Sequence, residues 1–322
     1  MPAHPPAPRA FAAAAIATTA LLGPAAADAH APGAGAGHSV PWPFEPWLLA
    51  LLAASLGLYT LGALRLWRHA GLGRGIRLAH AGAFAAGWLA VAIALASPLD
   101  PLGERRFSAH MVQHELLMLV AAPLFVVARP LSAWTWALPA PSRRGVGGAL
   151  RAPGWRRVWG ALRSPLGAWL LHAAALWGWH TPALFSLALR DPLVHTLQHA
   201  SFLGTGLLFW WAVLGSHARA RAGVALVSLF TTMVHATVLG ALITLSPQPW
   251  YPEYAATGAA PGFDALADQQ LGGLLMWVPG GLAYLAVGLW LAAHWLGPDE
   301  APGTGLAPSQ EPAAPEVRIA GR

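Results

Sequence analysis

Residues 110–130 read HMVQHELLMLVAAPLFVVARP, and residues 195–214 read HTLQHASFLGTGLLFWWAVL. Each stretch opens with H-x-x-Q-H and continues in apolar residues. A helix that crosses a bilayer needs about 20 such residues, so both stretches read as spanning helices with histidines in their first turn. Residues four apart on a helix share a face, with Cβ atoms about 5–6 Å apart. His110 with His114, and His195 with His199, therefore each aim two imidazoles in one direction. A span normally excludes ionisable side chains unless they do something. Two such pairs, 85 residues apart in sequence and entering the bilayer from the same side, point to a metal or haem site.

The composition supports this class. The chain is 56% hydrophobic and 10% charged, with a mean hydropathy of +0.50, whereas a soluble domain carries about 25% charged residues. An all-α polytopic membrane protein is expected. Its basic residues are 19 arginines with no lysine. The net charge of +6 follows membrane sidedness and does not imply nucleic-acid binding. There is no cysteine, which excludes disulfides and thiolate metal sites.

Residues 1–29 read as a secretory signal, with Arg9, an apolar stretch from Phe11 to Leu22, and Ala27-Asp28-Ala29 as an A-x-A cleavage site. An uncleaved first span is the alternative. Residues 30–45 read as a flexible extracytoplasmic segment, 46–296 as the membrane domain, and 297–322 as a disordered cytoplasmic tail.

Seven segments qualify as transmembrane helices: 46–67, 76–96, 108–128, 165–185, 193–214, 224–245 and 271–296. The fourth has its core ending near Trp179, with His180-Thr181-Pro182 as a turn. Arginines orient the set, because short cytoplasmic loops are enriched in them. Fifteen fall on one side: Arg65, Arg68, Arg74 and Arg77 after the first span, seven between Arg129 and Arg163 after the third, Arg219 and Arg221 after the fifth, and Arg318 and Arg322 in the tail. The opposite loops hold three, Arg105, Arg106 and Arg190. The N-terminus is thus expected outside and the C-terminus in the cytoplasm. Spans three, five and seven then run inward, so His110, His114, His195, His199, Asp268 and Gln269 all start at the outer face. Span four ends there at His180, and span six carries His235 near its middle. The outer ends of spans three and five are expected to touch.

Each polar group also has a plainer reading. A histidine in a span often only bonds a neighbouring helix, but two pairs with the same internal glutamine at the same depth favour ligands. Gln113 and Gln198 fit donors that orient the imidazoles, and equally fit structural amides. His180 is a ligand or a solvated helix end. His235 is a ligand or a packed core histidine, and His172 reads as structural. Met111 lies beside His110 and suits Cu(I), yet methionine also fills gaps in cores. Glu115 neutralises a cation or pairs with a histidine, and Asp268 otherwise reads as a helix cap. His69, His80, His217 and His294 lie toward the cytoplasmic side.

The blocks HMVQHELLMLVAAPLFVVARP (110–130), LWGWHTPALFSLALRDPLVHTLQHASFLGTGLLFWW (176–211), MVHATVLGALITLS (233–246) and DQQLGGLLMWVPGG (268–281) resemble the bacterial seven-span CtaG-type cytochrome c oxidase assembly factors, from about Pro46 to Leu296. The resemblance implies a role in maturing haem–copper oxidases, in copper handling. It carries His110, His114, His180, His195, His199 and His235 over as polar-site positions. Glu115 departs from the apolar residue expected after the histidine. A single-span family with the same label uses cysteines, and the absence of cysteine here excludes it.

The expectation is therefore a non-catalytic copper chaperone of the bacterial inner membrane. It would bind copper at His110, His114, His195, His199, His180, His235 and Met111, with Gln113, Gln198, Glu115, Asp268 and Gln269 around them. Its partners would be a haem–copper oxidase subunit and the lipid bilayer. A haem-binding membrane protein and a copper importer are the alternatives.

Overall fold

The computed structural model describes residues 45–215, 222–257 and 263–296. The signal-like segment 1–29, nearly all of 30–45, the tail 297–322, His217, Arg219 and Arg221 lie outside the described residues. Among the described residues all regular structure is helical. The chain begins with α1 (Pro46–Ala70), α2 (Leu78–Leu95) and a short α3 (Leu99–Gly103), then enters α4 (Phe107–Ala128). Three short helices follow: α5 (Pro130–Ala137), α6 (Ala140–Leu150) and α7 (Pro153–Leu162). Next come α8 (Pro165–Trp179), α9 (Pro182–Arg190), α10 (Pro192–Leu214), α11 (Ala222–Thr244), α12 (Glu253–Thr257) and α13 (Ala265–Leu296). Six of these, α1, α2, α4, α10, α11 and α13, are long and apolar enough to cross a membrane.

The expected fourth span is the exception. Residues 165–185 do not form one helix. α8 has 15 residues, or about 22 Å at 1.5 Å per residue, against a hydrocarbon core of about 30 Å. The break is written at Thr181-Pro182. A residue before proline is pushed out of the helical region, and Thr181 is extended (φ −66°, ψ 137°). Proline suits the first helical position, so Pro182 starts α9 and Pro192 starts α10.

The arginine-rich stretch after α4, expected as a loop, instead carries α5, α6 and α7. Arg129 takes the left-handed conformation (φ 53°), which closes α4 and turns the chain back before Pro130. α5 then lies along α1. Tyr59 donates to the Ala128 carbonyl (3.2 Å), Trp134 Nε1 to that of Ser55 (3.2 Å), and Arg65 to that of Ala137.

α4 is the central element. Half of its apolar window is buried, against 22% for α1, because α2, α10 and α13 all pack on it. It carries a π-helical turn at Leu116–Ala121. Pro123 lies just beyond; it lacks the N–H that would bond the preceding turn, and the wider turn relieves that crowding. α11 and α13 meet through their backbones: a Cβ on Gly273 would lie 2.7 Å from the Gly240 carbonyl oxygen. Small residues allow such close approach between spans. The result fixes α13, whose first turn holds the N-terminus of α4.

Candidate metal centre

Three contacts set the depth of the first H-x-x-Q-H. Asp268, in the first turn of α13, accepts hydrogen bonds from Phe107 N (2.6 Å), Ser108 Oγ (2.5 Å) and Ser108 N (3.4 Å). A helix leaves its first N–H groups unsatisfied, and here a neighbouring helix supplies the cap. α10 is capped locally: Asp191 Oδ1 accepts from Leu193 N (2.8 Å) and Val194 N (3.2 Å). α4 and α10 thus start side by side and face their histidines toward each other.

Five imidazoles converge there. Ring centroids are 4.4 Å apart within each pair, His110–His114 and His195–His199. Across the helices they are 5.3 Å apart for His110–His195, 5.5 Å for His110–His199 and 5.4 Å for His114–His199. His180, in the break after α8, lies 5.8 Å from His114. Ligand atoms of His110, His195 and His199 all fall within 4.8 Å of one another. Phe185 stands 5.0 Å from His110 and Phe202 4.4 Å from His114, so the wall is apolar.

The interior of this cluster is unsatisfied. Both ring nitrogens of His110 and His114, and Nε2 of His180 and of His199, are buried without a hydrogen-bond partner. Leaving one buried polar group unpaired costs about 1–3 kcal/mol, and native proteins rarely tolerate several together. His180 Nδ1 is engaged, lying 2.6 Å from the Leu176 carbonyl oxygen. Neutral imidazoles facing one another with bare nitrogens suit a cation that accepts their lone pairs.

The structure does not bring every expected residue to this cluster. His235 contacts α8 instead: its Nδ1 accepts from Trp177 Nε1 (3.3 Å) and its ring meets Trp169. Met111 packs against α13, where a Cβ on Gly272 would lie 3.2 Å from its Cγ. Glu115 also faces α13, with Oε2 3.1 Å from a Cβ built on Gly280. Asp268 caps α4. Gln269 holds a loop, accepting from Trp250 N (2.6 Å). Gln113 donates to the Ala94 carbonyl (2.8 Å) and to Asp100 Oδ1 (3.0 Å), tying α4 to α2 and α3. Gln198 alone lies beside an imidazole, that of His110. His172 is structural, within reach of Thr205 Oγ1 (3.3 Å) and Tyr284 OH (3.5 Å).

Two tyrosines that the sequence reading missed close the cluster. Tyr251 donates to the His180 carbonyl (2.8 Å) and packs 4.2 Å from Phe185; Tyr254 donates to the Gly103 carbonyl (3.1 Å). Burial pushes both phenols above their ordinary range, and for Tyr254 the charge of Asp268 adds to it, so both stay neutral donors. The signal was the aromatic density of Trp250-Tyr251-Pro252-Glu253-Tyr254 in a short connection.

The chain is 26% identical over 222 residues to "Uncharacterized protein Mb0105" of Mycobacterium bovis (strain ATCC BAA-935 / AF2122/97), covering 66% of this chain and 33% of that protein. The figures are the same for "Uncharacterized protein MT0111" of Mycobacterium tuberculosis (strain CDC 1551 / Oshkosh). The chain thus spans about a third of the length of the curated relatives it matches. No solved structure matches it. The profile described as cytochrome c oxidase caa3 assembly factor (Caa3_CtaG) matches residues 57–297, a stretch that runs from within α1 through the end of α13. On that match, this helical membrane protein belongs to the Caa3_CtaG family of cytochrome c oxidase assembly factors.

Proposed function

We propose that the protein binds copper at the five-histidine cluster and delivers it to a haem–copper oxidase subunit during assembly. The observation that carries this is the set of buried, unpartnered imidazole nitrogens on His110, His114, His180 and His199. Imidazole suits copper, and copper stands at the top of the Irving–Williams order for nitrogen sites. The copper here is cargo. The role is non-catalytic, and labile nitrogen ligands suit a carrier that must release its ion. A haem is disfavoured because rings packed 4.4–5.8 Å apart leave no slot for a macrocycle between them. An importer is disfavoured because His172, two turns below His180, is engaged with Thr205 and Tyr284.

The same reading counts α8 with α9 as the crossing between α7 and α10, which gives seven spans. It puts the N-terminus outside, the C-terminus in the cytoplasm, and the cluster on the outer face of a bacterial inner membrane. The support is the arginine split of fifteen to three. Reporter fusions at residues 104 and 190 should read outside and at 145 cytoplasmic; a cytoplasmic signal at 190 overturns the sidedness.

The decisive experiment is metal analysis of the purified protein with a parallel visible spectrum, beside a His195→Ala/His180→Ala variant. Copper in the wild type, its loss in the variant and no Soret band are expected. A Soret band, or equal copper in both proteins, overturns the reading.

A further inference from the structure

We propose that the five imidazoles form two ligand sets that a single Cu(I) ion occupies in turn: an entry triad, His110, His195 and His199, and an inner pair, His114 and His180. This rests on the copper reading above and goes further, to the path the ion takes.

One ion cannot use all five rings. With metal–nitrogen bonds of about 2 Å, ligands of one ion lie within about 4 Å of each other. Only the triad approaches that, with ligand atoms mutually within 4.8 Å; His114 and His180 stand outside the group. Yet both are shaped as ligands. The Leu176 carbonyl can only accept, so the proton of the neutral His180 ring resides on Nδ1, which it meets at 2.6 Å. The lone pair is then on Nε2, and that atom is buried without a partner. His114 presents two more such nitrogens. The two rings are nearly perpendicular, with centroids 5.8 Å apart. An ion held between two rings by bonds of about 2 Å needs about that separation.

Two nitrogens in a dry pocket suit Cu(I), whereas Cu(II) seeks a tetragonal set. Phe185 and Phe202 line the pair, with centroids 6.3 and 5.9 Å from His180, and leave no further donor among these walls. The exposures give the order. His195 is half-buried, while His114 and His180 are each 1% exposed. An ion therefore arrives at the triad and moves inward. His114 makes the move continuous, since its ring touches those of His110 (4.4 Å) and His199 (5.4 Å). The transfer breaks the three copper–nitrogen bonds of the triad as two form to His114 and His180, with no change in oxidation state. Charge limits the occupancy to one. The nearby carboxylates are directed elsewhere, Asp268 to the α4 terminus and Glu115 to α13, so two adjacent cations would repel with no anion between them.

The test is anaerobic loading of the purified protein in detergent with one equivalent of Cu(I), read by X-ray absorption and by competition with a Cu(I) chelator. His195→Ala and His199→Ala, which each break only the triad, should keep one copper with two nitrogen ligands. His180→Ala should keep one copper with three. His195→Ala/His180→Ala should lose it. If the wild type holds copper while His195→Ala and His199→Ala both lose it, or if His195→Ala stays three-coordinate, the inner pair is not a position and the copper reading stands. A wild type that binds no Cu(I) overturns both.

Discussion

α4 and α10 carry the same pentapeptide pattern in different surroundings. The α4 copy is locked. Its N-terminus is held by Asp268 from another helix, its glutamine bonds α2 and α3, and both its histidines are buried. The α10 copy is looser. It is capped by its own Asp191, its Gln198 amide has no hydrogen-bond partner, and His195 is half-buried. One motif therefore yields a fixed wall and a more accessible one. The spacing of histidines selects the chemistry, and the neighbours of each helix decide which part of the site it builds.

The caps should give the largest contrast. Asp268→Ala removes a charged acceptor that bonds two backbone N–H groups and a hydroxyl of α4, where single bonds to charged groups contribute about 1.5–3 kcal/mol. A loss of about 3 kcal/mol is expected. Asp191→Ala removes an exposed local cap, for which about 1 kcal/mol is typical. Unfolding in mixed detergent micelles would measure both. Equal losses would mean that the two helices begin equivalently and that the locked-versus-loose distinction fails.

The glutamines should separate next. Gln113→Leu leaves the Ala94 carbonyl unpaired and strips a donor from Asp100, so about 1–3 kcal/mol of stability should go. Gln198→Leu loses only the polar contact with the His110 ring and should leave the unfolding midpoint near that of the wild type. Because it removes a polar neighbour of His110, its effect should appear in copper affinity, by about 10-fold, the low end for an outer-shell partner. Chelator competition alongside the unfolding curve would read both axes. A Gln113 variant with normal stability and weakened copper would reverse the assignment.

Much of this was legible before the fold was known, and the limits are physical. Apolar length revealed six of the spans, and the i,i+4 spacing revealed both histidine pairs. Met111 and Glu115 follow cluster histidines by one residue, and one residue rotates a helix by about 100°. Their turning toward α13 was therefore implicit in their positions, although chemistry made them attractive ligands. The role of Asp268 was not legible. It fits an ordinary cap of its own helix, and only the approach of α13 to α4 makes it the cap of another. The same holds for His235, whose partner Trp177 lies 58 positions away in sequence. The break at Thr181-Pro182 was visible; its consequence, a histidine between two helices aimed into the cluster, depends on how α8 meets α10.

The smallest effect belongs to the rim of the looser helix. Just before α10, Arg190 pairs with Glu253 of α12 at 2.7 Å, with the arginine side chain 71% exposed. Burial alone would push the Glu253 carboxyl up, but hydrogen bonds from its own backbone, Ser186 and Arg190, with the arginine charge, outweigh that and hold it below its usual range. A depressed carboxylate contributes stability that is present above its unfolded pKa, about 4.3, and is lost as pH falls through the lower folded value. An exposed pair of this kind contributes about 0–1 kcal/mol, less in salt. Arg190→Ala should therefore lower the unfolding midpoint slightly at pH 7 and low ionic strength. The gap from the wild type should shrink in high salt and close as the solution is acidified through the Glu253 titration. A gap that persists in acid would place the contribution of Arg190 in its aliphatic packing, and the α9–α12 contact would then belong to the locked side of the molecule.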